Sequence, residues 1–219
     1  MKKESYIVAI TGASGSIYGF KLLYELIKHN FYVYLIISKS AFKVIKDELN
    51  MFSGINLDNE NKNGATSTNY IYNNNVYSEI KLKFNIDDKN NYEYLDEMFI
   101  ESKISSGSAS GIKGMAVIPC SMGSLSRIAN GSSGNLIERA SDVILKERKK
   151  LIVSPRETPL NDIHLKNMLS LSRSGAIILP PMPAFYNKPE SIDDMVDFIT
   201  GKIMDSFGIE NNIYKRWED

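Results

Sequence analysis

Tyr6-Ile7-Val8-Ala9-Ile10-Thr11-Gly12-Ala13-Ser14-Gly15-Ser16 decides the fold. The nearly continuous apolar run Tyr6–Ile10, with its β-branched residues, reads as a strand buried on both faces, the habit of parallel sheets. A glycine-rich turn follows. Ile17, Phe20, Leu23, Leu26 and Ile27 then recur at helical spacing. Strand, glycine turn and helix in this order aim backbone N–H groups at an anion, with the helix N-terminus adding its positive pole. The hydroxyls of Ser14 and Ser16 can add donors. The turn lacks the Gly-Lys-Ser/Thr ending of a triphosphate loop, and its glycines fall at 12, 15 and 19 instead of Gly-x-Gly-x-x-Gly. No acidic residue ends the next strand to hold a ribose, so a mononucleotide fits better than a dinucleotide. Taken alone, the stretch also fits a bare tight turn feeding a helix.

Outward from this turn, Phe31–Ser38 reads as a second buried strand and Lys39–Leu49 as a second helix. A βαβα opening predicts a parallel sheet with helices on both faces. Ser53–Asn75 is Asn-rich and reads as a solvated loop or insertion. Val76–Phe84 alternates weakly, Tyr92–Ile100 reads as helical, and Ser105–Gly111 reads as a mobile loop. Met115–Ile118 is a third strand stopped by Pro119. Leu125–Ala129 and Asn135–Lys149 are helices, and Leu151–Val153 is a fourth strand ended by Pro155. His164–Ser172 is helical, and Ala176–Leu179 is a fifth strand closed by Pro180-Pro181-Met182-Pro183. Ser191 opens a last amphipathic helix, with Asp194 placed to complete its cap. The expected architecture is one α/β domain over 1–219, a Rossmann-like (flavodoxin-like) αβα sandwich on a parallel sheet. Residues from about 51 to 113 form its variable insertion or loop region.

Bulk properties narrow the function classes. The chain has 219 residues, 43% hydrophobic, with 26 basic and 26 acidic side chains, so it carries no nucleic-acid footprint. No apolar run approaches the roughly 18 residues of a membrane span, and the first residues lack the apolar core of a signal peptide. The single cysteine, Cys120, excludes an internal disulfide framework and suits a reducing compartment, so the cytoplasm is expected.

Ligands of open parallel sheets bind beyond the carboxyl ends of the strands. There the chain carries Thr11–Ser16, Ser38-Lys39, Pro119-Cys120-Ser121-Met122-Gly123-Ser124, Ser154-Pro155-Arg156-Glu157-Thr158-Pro159 and Pro180–Tyr186. Prolines bracket Arg156-Glu157 and hold both side chains in place. Arginine suits a phosphate or carbonyl and glutamate suits proton transfer, although an ordinary surface ion pair fits as well. His164 at a helix start reads as structural, His29 as a helix C-terminal charge, Cys120 as a packing residue, and Trp217 as an interface or packing residue.

Seven motifs stand in order: Thr-Gly-Ala-Ser-Gly at 11–15, Pro-Cys-Ser-Met at 119–122, Asn-Leu-Ile-Glu-Arg-Ala-Ser-Asp-Val at 135–143, Leu-Lys-Glu-Arg at 145–148, Pro-Arg-Glu-Thr-Pro-Leu at 155–160, Ile-His-Leu-Lys-Asn-Met-Leu at 163–169 and Pro-Pro-Met-Pro-Ala-Phe-Tyr at 180–186. Together they resemble the UbiX-type flavin prenyltransferases, within the wider flavoprotein family of homo-oligomeric cysteine decarboxylases. The resemblance covers 6–50 and 114–217 and fails over 51–113, where extra length is expected. It implies a metal-independent transferase that joins dimethylallyl monophosphate to reduced FMN, first at N5 and then at C6, and passes prenylated FMN to a UbiD-type decarboxylase. It also implies a homo-oligomer, a dodecamer, with sites between subunits.

The resemblance implies roles residue by residue. Gly12, Ala13 and Ser14 match an FMN-binding turn, with Ser14 at the reacting edge. Ser38, Ser121, Met122, Gly123, Ser124 and Arg156 match further flavin contacts. Glu48 and Lys146 match residues lining the dimethylallyl phosphate pocket. Glu157 matches the acid/base that assists phosphate departure and ring closure, and Tyr186 and Lys202 match the substrate phosphate clamp. Position 202 departs from the arginine expected there; lysine keeps the charge and loses the bidentate geometry. Two other readings compete. An FMN-dependent cysteine-type decarboxylase would carry a histidine in Lys39–Leu49 and asparagine where Pro183 stands. A non-catalytic flavin-binding protein would not require Glu48, Lys146 and Glu157.

Overall fold

The computed structural model describes residues 3–53, 66–86 and 91–217. Among these the chain runs β1 (Ser5–Ile10), α1 (Ser16–Lys28), β2 (Tyr32–Ile37), α2 (Lys39–Leu49), α3 (Thr66–Phe84), β3 (Tyr92–Asp96) and β4 (Ile112–Cys120). It continues through α4 (Met122–Ala129), α5 (Leu136–Lys146), β5 (Lys150–Pro155), α6 (Asp162–Arg173), β6 (Ile177–Ile178) and α7 (Ile192–Phe207). The strands pair in parallel in the order β3-β2-β1-β4-β5-β6. The order steps outward from β1 to β3, then resumes on the other side of β1 with β4. That reversal opens a crevice at the carboxyl ends of β1 and β4.

Alternation along β1 feeds two cores. Tyr6, Val8 and Ile10 join Phe20, Leu23 and Leu26 of α1 and Ile199 and Ile203 of α7. Ile7 and Ala9 join Leu136, Ile137, Ala140 and Ile144 of α5 on the other face. Burial on both faces explains why β1 shows no polar alternation. Each fully buried Leu or Ile contributes about 1.5–3 kcal/mol over its exposed state.

Three expectations are corrected. The loop read over Ser53–Asn75 is helical from Thr66, and α3 continues through Val76–Phe84; residues 54–65 lie outside the described residues. Asparagine is a poor helix former, which hid the element. Its second half is held by tertiary packing: Val76 and Ile80 are buried, Phe84 stacks on Phe20 at 4.8 Å, and Tyr77 Oη accepts the Tyr94 N–H at 2.8 Å. The helix read over Tyr92–Ile100 is instead the edge strand β3, with Tyr92 and Tyr94 turned inward at period two. Glu93, Asp96 and Glu97 imitate the polar spacing of a helix. Pro119 does not stop β4, which runs on to Cys120 with a register shift against β5.

The caps follow the expected chemistry. Ser191 Oγ accepts the Asp194 N–H at 3.1 Å, and Asp194 accepts the Ser191 N–H at 2.9 Å. His164 completes a capping box with Asn161 at the start of α6, a structural duty. Among the described residues, no helix is long and apolar enough to cross a membrane.

Candidate active site

The segments after β1, β2, β4 and β5 are hydrogen-bonded into one shelf. Buried Thr11 donates from Oγ1 to the Pro119 carbonyl at 2.8 Å and accepts the Ser121 N–H at 2.7 Å. The Ser38 N–H reaches the Ile10 carbonyl at 2.9 Å, and the Arg156 N–H reaches the Cys120 carbonyl at 3.0 Å. The structure thus brings together Gly12, Ala13, Ser14, Ser38, Ser121, Met122, Gly123, Ser124, Arg156 and Glu157. Gly12 lies hard against α2: a Cβ there would meet Ser40 Oγ at 2.5 Å and its Cβ at 2.7 Å.

Three helices begin at this edge, and their first turns differ. Gly15, with φ of 98°, gives α1 no side-chain cap. Glu48 supplies one from α2: its carboxylate accepts the N–H groups of Gly15 and Ser16 at 3.0 Å and the Ser16 hydroxyl at 3.1 Å. Burial alone would push the Glu48 carboxyl up, but hydrogen bonds from the Ser14 hydroxyl, Gly15 and Ser16 outweigh it and hold it below the usual range. In the structure the chain's own carboxylate sits at this helix N-terminus. In α2, Ser38 Oγ accepts the Ala41 N–H at 3.2 Å and the Lys39 N–H donates to Glu97. In α4, Ser121 Oγ accepts the Ser124 N–H at 3.3 Å and donates to Ser124 Oγ at 3.1 Å. The N–H groups of Met122 and Gly123 have no acceptor among the described residues. Of the three turns, α4 leaves two successive N–H groups, those of Met122 and Gly123, open to an anion.

Sequence reasoning missed Glu97. It follows β3, and burial, with Asp96 beside it, pushes its carboxyl up against the pull of the Lys39 N–H. The misreading of β3 as helix hid its place at the carboxyl edge. Burial also pushes the Cys120 thiol up to about 12, so no thiolate is available near neutral pH.

Arg156 and Glu157 are exposed, and Glu157 Oε1 accepts the Thr158 N–H at 3.0 Å. Tyr186 packs edge-on against Trp217 at 4.7 Å and Phe198 at 6.2 Å, and Lys202 lies one turn beyond Phe198 on α7. Lys146 stands apart. It ends α5 just before β5 begins, pairs with Glu147, and lies 2.5 Å from where a Cβ on Gly107 would sit, at the amino edge of the sheet. A cavity of about 360 Å³ opens at the amino edge, lined by Lys3, Tyr32, Tyr34 and Lys103 among others, away from the stitched loops. Among the described residues, no group of three or more His, Cys, Asp or Glu could hold a metal.

A family model described as Flavoprotein matches residues 1–204. The chain belongs to the Flavoprotein family. Within this family it is 46% identical over 211 residues to the flavin prenyltransferase UbiX of Methanocaldococcus jannaschii, covering 96% of this chain and 97% of that protein. It is 43% identical to the UbiX of Halalkalibacterium halodurans, covering 98% and 94%. Relatives this similar along their whole length place this flavoprotein among the UbiX-type flavin prenyltransferases. The alignments run through 51–113, which leaves little room for the extra length expected there. A solved UbiX (PadA1) in complex with FMN and dimethylallyl pyrophosphate superposes with TM-score 0.79 at 34% identity, over 100% of this chain and 99% of that one. A dodecameric FMN-dependent UbiX-like decarboxylase from Escherichia coli O157:H7 gives 0.77 at 36%, over 98% and 100%. A PPC decarboxylase at 17% identity and TM-score 0.53 shares the fold alone.

Proposed function

We infer that this flavoprotein is a flavin prenyltransferase. It joins the dimethylallyl group of dimethylallyl monophosphate to N5 and C6 of reduced FMN and releases phosphate. The observation that carries the reading is the exposed Arg156-Glu157 pair, tied through the Arg156 N–H to the Cys120 carbonyl at 3.0 Å and set on the same sheet edge as the Glu48 carboxylate. Flavin binding without chemistry does not need Glu157.

The residues fit a flavin's phosphate end at the start of α4, where unmet N–H groups and the Ser121 and Ser124 hydroxyls converge beside Arg156. Gly12 and Ala13 keep the β1 turn low enough for a planar ring to approach. Reduced FMN, as the acceptor, supplies the nucleophilic N5 and C6. Ser14 and Glu48 border that edge and hold a proton site there. Glu157 assists departure of the phosphate, whose C–O bond breaks as the N5–C bond forms, and later moves the proton lost on ring closure. Tyr186 and Lys202 hold the phosphate. Lys146 reaches this chemistry only from a second copy, because its own chain places it at the opposite edge. Exposed apolar residues on and beside α6 (Ile163, Leu165, Leu169) and at Met182, Phe185 and Trp217 support such an assembly, for which a dodecamer is our reading. Prenylated FMN then passes to a UbiD-type decarboxylase, in the cytoplasm.

The test is anaerobic incubation of the protein with reduced FMN and dimethylallyl monophosphate, followed by mass spectrometry. A five-carbon flavin adduct with stoichiometric phosphate is expected, and its absence would falsify the reading. A parallel arm with dimethylallyl pyrophosphate fixes the donor.

A further inference from the structure

Beyond α7 the chain turns at Gly208 and folds back along the helix. One carboxylate holds this strap. Asp205 accepts from Asn211 Nδ2 at 2.9 Å, Tyr214 Oη at 2.6 Å, and Arg216 Nη2 and Nη1 at 2.9 and 3.2 Å. Arg216 Nη2 also donates to the Asn211 carbonyl at 3.1 Å, and its guanidinium lies over the Tyr214 ring at 5.0 Å. Burial would push the Asp205 carboxyl up, but the bonds from Arg216 and Tyr214 hold it below its usual range, so the clasp is ionised at neutral pH. Helix α7 makes room for it: a Cβ on Gly201 would meet the Tyr214 ring at 2.2 Å.

The clasp bears on the neighbouring loop through rings. Tyr214 packs on Phe198 at 5.2 Å, Phe198 on Tyr186 at 6.2 Å, and Tyr186 on Trp217 at 4.7 Å. Residues 180–190 make mainly local backbone and capping bonds, such as Met182 N–H to Pro180 and Lys188 N–H to Phe185. The Tyr186 hydroxyl has no hydrogen-bond partner among the described residues. Its ring is therefore placed by Phe198 and the strap, and its hydroxyl is left available.

We propose that the strap at 209–217, clasped by Asp205 and Arg216, is a positioning element that sets Tyr186 beside Lys202 for the prenyl phosphate. Asp205 and Arg216 touch no substrate; they act through Tyr214, Trp217 and Tyr186. The proposal rests on the prenyl-transfer reading given above.

Trp217 is the chain's one tryptophan, so its fluorescence reports the strap directly. In Asp205→Asn, the KM for dimethylallyl monophosphate should rise about tenfold, the worth of one charge-assisted hydrogen bond, with kcat and FMN affinity within about twofold. Acrylamide quenching of Trp217 should rise in parallel. Gly201→Ala, which favours the helix but displaces Tyr214, should raise KM in the same way without loss of helical signal. Arg216→Lys should fall between wild type and Asp205→Asn. Unchanged KM and quenching in these variants, beside an active wild type, overturns the proposal. So does a fall of KM-independent kcat, FMN affinity and thermal stability together, which marks a merely structural strap. A wild type that forms no five-carbon adduct overturns the prenyl-transfer reading instead.

Discussion

Glu48 shows how one side chain can decide what a glycine turn does. Its carboxylate stands at the N-terminus of α1 and serves as the missing cap. Because its carboxyl is held below the usual range in the folded chain, its contribution is complete above the unfolded value and is lost as pH falls through the folded one. Glu48→Gln should therefore melt below wild type at neutral pH and together with it in acid. The neutral-pH gap should be no more than about 1 kcal/mol, since the group is solvent-screened. Calorimetry across pH checks the sign. Lys202 gives a second expectation. Lys202→Ala should raise the KM for dimethylallyl monophosphate by about tenfold, whereas Lys202→Arg should match or better the native residue by adding a fork to the charge. The glycine turn, Arg156 and Glu157 were legible because strand ends announce themselves. The occupant of the turn was not, because nothing local links Gly15 to a carboxylate on the next helix.

At the scale of elements, legibility followed burial. β1, β2, β4 and β5 lie in the sheet interior and read as apolar runs. β3 is an edge strand that carries Glu93 and Asp96, and α3 is an Asn-rich helix whose described buried apolar anchors, Val76 and Ile80, are in its second half. Both draw their stability from tertiary contacts that a local window does not contain. α6 is unusual in the opposite sense. Leu171 is its one buried residue, while Ile163 and Leu169 are 66% and 50% exposed. A helix with its apolar residues outward fits the assembly proposed above. Ile163→Lys with Leu169→Lys should leave the fold's circular dichroism intact and shift the assembly toward smaller species in light scattering.

The whole molecule divides its candidate chemistry between two ends of one sheet. The stitched loops occupy the carboxyl edge and Lys146 the amino edge. If catalytic sites are completed by a neighbour, Lys146→Ala and Glu157→Gln chains, each inactive alone, should recover part of the activity when dissociated and reassembled together, because some mixed sites receive both native residues. Reassembly without recovery would assign Lys146 a role confined to its own chain. The parallel sheet and its site edge were readable from the order of strands and turns, but the distance between Lys146 and Glu157 emerged only from the direction in which α5 runs. The bonds around Thr11 carry a consequence for motion. Through it and its neighbours, four separate stretches of chain share one frame, so none can open without loosening the others. In deuterium exchange, the amides of Ser38, Ser121 and Arg156 should behave as one cooperative unit, and Thr11→Val should speed them together.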